Sequence, residues 1–204
     1  KTYPYLWFVD EALAPEQLRT LAQGLLANDI KVCWQARCRA SRALLGNGLP
    51  ELLYEAGLRE LRIGLESASY PILKLMHKFE DGFRLDLMEA IIRKYTELGV
   101  SIHCPMILGF PRETQGDRQK TYEFLSEMHK KYPLFTFNLN ILCLDVSSPL
   151  FHHWAEYQIQ EIRFPCEPQY FLGNWVPWMP SSAEHEIEAE RQSFMREQLY
   201  PWLP

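Results

Sequence analysis

The 204-residue sequence lacks several features that would narrow its function quickly. No apolar stretch approaches the roughly 18 residues that a membrane span requires. Twenty-one basic residues face 26 acidic ones, with no long run of either sign and a formal charge of −5. Clustered Lys and Arg carry most nucleic-acid and anionic-membrane binding, so this balance argues against such a surface as the main partner. The five cysteines, at 33, 38, 104, 143 and 166, form no disulfide framework and no Cys-x-x-Cys pair, which makes a reducing cytoplasm the default expectation. There is no Gly-rich phosphate loop and no Ser nucleophile elbow, and His103 and His152-His153 lack metal-site spacing. The opening Lys1-Thr2-Tyr3-Pro4 does not read as a signal peptide. Because the chain enters the apolar run Leu6-Trp7-Phe8-Val9 almost at once, we expect a piece of a longer fold.

What is present is a rhythm. Apolar, β-branched or aromatic runs at 5–9, 30–36, 60–65, 100–108 and 134–144 read as strands. Between them run helical stripes: Leu18, Leu21, Ala22 and Leu25; Leu49, Leu52, Leu53 and Ala56; Met88, Ile91, Ile92 and Tyr95; and Tyr122, Leu125 and Met128. Gly57 and Gly99 stand where helices commonly stop. Alternating β and α segments predict a parallel sheet with right-handed crossovers. Five strands are too few for an eight-stranded barrel, so the expected fold is α/β, a partial, open parallel β/α barrel lacking its first strand. We place that barrel at residues 1–145. Residues 146–204 are expected to form an extension packed on it, with an irregular part rich in Pro and aromatic residues (146–181) and then a charged helix from about Ser182 to Leu199, N-capped by Ser181 or Ser182.

Ligands of parallel α/β sheets bind at the carboxyl ends of the strands. Each predicted strand ends in polar groups: Asp10-Glu11, Arg37, Glu66-Ser67, the Gly109–Thr114 segment, and Asn138 with Asn140. Taken singly, each could be a helix cap, a solvated loop or a plain turn; five together point to a site. The cysteines are read as ordinary thiols. Cys33 and Cys38 fall on opposite faces of a strand, and Cys104 and Cys143 are expected in the core.

The ordered strand ends resemble those of radical S-adenosylmethionine (radical SAM) enzymes, in the group often preceded by a cobalamin-binding domain. Phe8-Val9-Asp10-Glu11 resembles the end of that group's second strand, and Trp34-Gln35-Ala36-Arg37 its third. The stretch from Leu52 to Ser67, with Glu55-Ala56-Gly57-Leu58 and Gly64-Leu65-Glu66-Ser67, is similar to the signature around the fourth strand. Leu73–Lys78 echoes the segment after it, Ile107–Thr114 resembles the fifth-strand signature, and Ser148-Pro149-Leu150 a later Pro-containing segment.

The resemblance implies a four-iron (4Fe-4S) cluster held by three cysteines, which cleaves S-adenosylmethionine (SAM) reductively, with cobalamin as a further cofactor of the parent enzyme. It places Asp10 and Glu11 near the methionyl amine, and Arg37 by the methionyl carboxylate or the substrate. Glu66 and Ser67 would lie near the ribose or methionyl part, and Ile107 and Gly109 beside the adenine; the side of the strand that carries Asn138 and Asn140 is either the ligand cavity or a polar, water-filled interior. Glu113 would fix its loop. The sequence departs from the family at one decisive point, since no Cys-x3-Cys-x2-Cys occurs in it. We therefore expect part of a radical SAM enzyme, inactive as this chain, with no metal or cofactor bound and a small-molecule or peptide substrate in the parent. The alternative is a cluster-less barrel that binds a nucleoside-like ligand or a protein partner. An uncovered first strand edge would also promote self-association.

Overall fold

A computed structural model describes residues 5–78, 84–159, 162, 164 and 175–199. The helices form where the apolar spacing predicts them. Helix α1 (Pro15–Ala27) buries Leu18, Ala22 and Leu25, and has Pro15 in its first turn, where a missing N–H costs nothing. Helix α2 (Leu49–Glu55) ends before Gly57, whose φ of +95° turns the chain into the next strand. Helix α4 (Leu85–Glu97) buries Leu87, Met88, Ile91, Ile92 and Tyr95 along one side and stops ahead of Gly99 at φ +90°. Helix α5 (Gln115–Lys131) is started by Thr114, whose hydroxyl accepts the Asp117 N–H while Asp117 accepts the Thr114 N–H.

Strands β1 (Tyr5–Trp7), β2 (Cys33–Cys38), β3 (Leu58–Ile63), β4 (Ser101–Leu108) and β5 (Phe135–Ile141) pair in sequence order, all parallel. Order 1-2-3-4-5 with a helix between successive strands is the progression of an open β/α barrel, as expected. Strand alternation divides the residues between two faces. Trp34, Ala36, Leu61, Ile63, Ile102, Cys104, Met106 and Leu108 are buried in the core shared with the helices. The intervening residues (Gln35, Arg37, Glu60, Arg62, His103, Pro105, Ile107 and Asn138) line the opposite, inner face.

The sheet's two outer edges differ. Strand β1 pairs only with β2 among the described residues, and Tyr5 and Trp7 on it are exposed. Two outward carbonyls of β5 are engaged: His129 Nδ1 donates to Phe135 O at 3.2 Å and Arg191 Nη1 to Leu139 O at 3.1 Å.

Several features were not foreseen. Residues Arg42–Leu45 make a 3-10 turn, and α3 (Tyr70–Leu75) precedes α4. In the expected irregular region, β6 (Leu144–Asp145) pairs antiparallel with β7 (Trp175–Val176), and α6 (Pro149–His152) is capped by the Ser148 hydroxyl. Helix α7 (Ser181–Leu199) takes Ser181 as its first residue, so neither serine is the cap; Glu184 N–H bonds to Pro180 O instead. Cys143 is exposed rather than in the core, because it lies in the link between β5 and β6, while Cys104 is buried as expected. Cys166 lies outside the described residues.

Helix α7 docks on α5. Arg118 is almost wholly buried and donates to Glu190 at 2.7 and 3.1 Å, and Phe194 stacks on Tyr122 with centroids 4.6 Å apart. The groove along this seam, about 550 Å³, lies between helix exteriors and not at the strand ends.

Candidate functional site

A cleft of about 750 Å³ opens beyond the carboxyl ends of β1, β2 and β3. Glu11 and the residues leading into α1 line one side, Arg39 to Ser41 the middle, and Gly64, Leu65, His77 and Lys78 the other. It lies where parallel sheets place ligands.

Lys78 on its wall is held by Glu66, which is not itself among the lining residues. The chain passes through Glu66 at φ +70°, a conformation that is unfavourable for a residue with a Cβ. The geometry is held by β4, because Glu66 N–H donates to Pro105 O and Glu66 O accepts from Ile107 N–H. The carboxylate folds back over the strand end, and Lys78 Nζ lies 3.4 Å from both Glu66 Oε1 and Gly64 O. Gly64 leaves room for this arrangement, since a Cβ there would stand 2.3 Å from Glu66 Oε1 and the carboxylate would have to shift. Burial raises the pKa of Glu66, and the Lys78 ammonium opposes that rise. Backbone strain and a part-buried ion pair at a strand end are what binding sites hold ready. Nothing in the sequence marks Lys78 as the partner of Glu66, because 12 residues separate them and only the fold brings them together.

The other predicted residues distribute as follows. Glu11 lines the cleft, and Asp10 beside it is exposed. Arg37 is not among the residues lining the cleft; two positions on, Arg39 is. Ser67 is fully buried on the helix side, with its hydroxyl 3.4 Å from Thr121 Oγ1 and accepting Ser69 N–H at 3.1 Å. Ile107 is half-buried on the inner face and bonded to the Glu66 carbonyl. Gly109, at φ +72°, turns its α-carbon toward Met179 Cε and Ile187 Cδ1, which would lie 2.6 and 3.3 Å from a Cβ. The C-terminal part of the chain therefore packs on it. Its N–H donates to Glu113 Oε2 at 2.5 Å, so Glu113 does tie the loop. Burial pushes the Glu113 carboxyl up to about 7, and its Oε1 has no partner among the described residues. Burial alone would also raise Asp117, but hydrogen bonds from Ser69 and Thr114 hold it at about 2.

The inner face carries a polar network. Arg62 Nε donates to Glu60 at 2.8 Å, and its guanidinium lies 5.8 Å from the Trp7 ring centre. Tyr5 Oη donates to Gln35 Oε1 at 3.3 Å. His103 bridges β4 to β5, with Nδ1 2.9 Å from Thr136 Oγ1 and Nε2 2.9 Å from Asn138 Oδ1. Acceptance by Asn138 Oδ1 puts the imidazole proton on Nε2. Burial lowers the pKa of His103, which keeps the ring neutral near pH 7. Asn140, two residues beyond Asn138, is exposed.

No family model matches the chain. Two curated proteins are similar to parts of it. One is bacteriochlorophyllide d C-12(1)-methyltransferase of Chlorobaculum tepidum, 26% identical over 131 residues, which are 63% of this chain and 28% of that protein. The other is tRNA-2-methylthio-N(6)-dimethylallyladenosine synthase of Buchnera aphidicola, 35% identical over 71 residues, 34% of this chain and 16% of that protein. Among solved structures, the radical SAM methyltransferase TsrM of Kitasatospora setae, with cobalamin and a [4Fe-4S] cluster bound, superposes over 94% of this chain and 43% of its own, with TM-score 0.67 at 15% identity. The chain has the radical SAM fold. Coproporphyrinogen III oxidase (HemN) of Escherichia coli, also a radical SAM enzyme, superposes over 96% of this chain and 40% of its own, with TM-score 0.62 at 15% identity. The chain spans less than a third of the curated relatives it matches and less than half of these structures.

An iron–sulfur cluster does not fit the described residues of this radical SAM fold. No group of three His, Cys, Asp or Glu among them could hold a metal. Cys38 and Cys104 are buried thiols whose pKa burial raises far above the usual range, and Cys33 and Cys143 belong to different parts of the fold. No helix among the described residues is long and apolar enough to cross a membrane.

Proposed function

We propose that this chain forms the SAM-binding wall of a radical SAM enzyme of the cobalamin-associated group, and that the cleft above β1, β2 and β3 receives the cosubstrate. The observation that carries the reading is Glu66, held in a left-handed conformation by β4 and bound to Lys78 at the cleft wall. In this reading Glu11 meets the methionyl ammonium, a cation that suits a solvated carboxylate. Arg39 and Lys78 face the methionyl carboxylate, and Glu66 orients Lys78 while its remaining oxygen accepts from a ribose hydroxyl. The polar, half-buried wall draws the ligand to a defined depth and excludes part of the surrounding water.

Because the described cysteines do not fit a cluster, no electron-transfer step is assigned to these residues. We propose that the chain alone binds but does not cleave SAM. In the enzyme to which it belongs, the three thiolates come from outside these 204 residues. The domain division proposed is a barrel through residue 145 and an extension after it, with Arg118–Glu190 as the main tie between the two.

The test is calorimetric titration of the chain with S-adenosylhomocysteine. Binding in the micromolar range is expected, weakened about tenfold by Lys78→Met or Glu66→Gln, the loss of one charge-assisted hydrogen bond. No binding, or binding that both substitutions leave unchanged, refutes the assignment. Binding to the chain would equally serve a cluster-less nucleoside-binding barrel. That second reading would prevail if the chain bound adenosine as tightly as S-adenosylhomocysteine, since only the latter uses the amino-acid contacts.

A further inference from the structure

The inner face carries a second cluster of polar side chains below the cleft, centred on Arg37. In the sheet register Arg37 stands opposite Arg62, Arg62 opposite His103, and His103 opposite Thr136. Adjacent strands lie about 4.8 Å apart, so these four side chains form one row across four strands. Glu60, one pleat from the row, neutralises Arg62. His103 is held neutral between Thr136 and Asn138. Arg37 is half-buried on this face and has no hydrogen-bond or ion-pair partner for its guanidinium among the described residues. Below it, Gln35 accepts the Tyr5 hydroxyl at its Oε1, which leaves its amide N–H groups as donors. One positive charge is therefore left over on a face that otherwise balances its charges, and the groups near it donate.

We propose that Arg37 is the anchor for a carboxylate of the substrate, bound in the barrel interior and not in the cosubstrate cleft. The inference rests on the reading that SAM occupies that cleft. Three observations support it. Arg37 does not line the cleft, whereas Arg39 does, so the methionyl carboxylate has other cations to meet. A guanidinium presents a planar fork that matches a carboxylate with two parallel bonds. The surplus is a single charge, which a carboxylate balances and a phosphate monoester, near −2, would exceed. Trp7 is 58% exposed and stands over Arg62 on the same face, offering a flat apolar surface to the body of such a ligand. The class of ligand is thus a planar or conjugated carboxylic acid.

The experiment uses 1-naphthoate as probe, with 1-naphthamide and 1-naphthyl phosphate as controls, titrated calorimetrically into the chain and into Arg37→Gln and Arg37→Lys. Thermal melts establish that the variants fold, and Arg37→Lys retains a charge should Arg37→Gln fail to fold. The wild type should bind naphthoate at least about tenfold more tightly than either control, and both variants should lose at least about tenfold, Gln more than Lys. S-adenosylhomocysteine binding should be unchanged in both. Equal naphthoate affinity in wild type and variants, preference for the amide or the phosphate, or no naphthoate binding at all overturns the proposal. So does loss of S-adenosylhomocysteine binding in the variants, which would return Arg37 to the cosubstrate. If naphthoate binds as expected while S-adenosylhomocysteine fails to bind the wild type, the anion site stands and the cosubstrate reading falls.

Discussion

Replacing Arg118 by Met is the sharpest perturbation of the tie between the barrel and α7. The guanidinium keeps only 7% of its side-chain exposure and makes two hydrogen bonds to Glu190, itself 21% exposed, with Glu186 3.8 Å away at the rim. Removing one member of a buried pair costs about 3–5 kcal/mol, because the other charge is left without compensation. Glu190 is not fully desolvated, and Met restores part of the packing of the Arg stem. The expected loss is therefore about 2–3 kcal/mol. At roughly 2–4 °C per kcal/mol for a chain of this size, the melting temperature should fall by about 4–12 °C. Scanning calorimetry measures it, and a cycle with Glu190→Gln isolates the pair. The coupling should be about 1.5–3 kcal/mol. A coupling below about 0.5 kcal/mol would refute the argument and reduce the pair to surface decoration.

Glu113 should give stability an uncommon pH dependence. Its folded pKa is raised, so its contribution is fully present below about 4.5 and is lost as pH rises through about 7. In urea titrations, Glu113→Gln should gain roughly 2–3 kcal/mol on the wild type between pH 5 and pH 8; parallel profiles would exclude the effect. Asp117, held at about 2, works in the opposite direction, and its share of stability should be lost as pH falls from about 4 toward 2, visible as an acid limb absent in Asp117→Asn. Gly57→Ala should cost several kcal/mol, as the new methyl would stand 1.9 Å from Val32 O at a φ of +95°, and circular-dichroism melts would report it. The exposed β1 edge should let the chain associate at high concentration, seen as a rising sedimentation coefficient; a monomer at millimolar concentration would count against it.

The βα rhythm was legible because burial imposes period on sequence. Leu18, Ala22 and Leu25, or Met88, Ile91, Ile92 and Tyr95, mark a helix face by their spacing alone. The cleft was legible only as a set of strand ends. Its decisive pair joins two segments, and whether a lysine at 78 reaches a glutamate at 66 depends on the left-handed turn at Glu66 and on the room Gly64 leaves beside its carboxylate. Ser67 and Glu66 are neighbours with similar polarity, yet one turns to Thr121 on the helix side and the other to Lys78, with the left-handed turn at 66 between strand and helix. The resemblance sets Gly109 beside an adenine, but the atoms that approach it are those of Met179 and Ile187, 70 or more residues away. The β6–β7 pair was hidden for a simpler reason, since two-residue strands leave no periodicity to read.

The unequal edges of the sheet give it a direction of growth. Along β5, the outward carbonyls of Phe135 and Leu139 are already taken by His129 and Arg191. A strand arriving there would have to displace an imidazole and a guanidinium before forming its own bonds. At β1 it would have nothing to displace among the described residues. The sheet thus resembles a zipper with one end stitched shut, and a further strand would extend it from the Tyr5–Trp7 side.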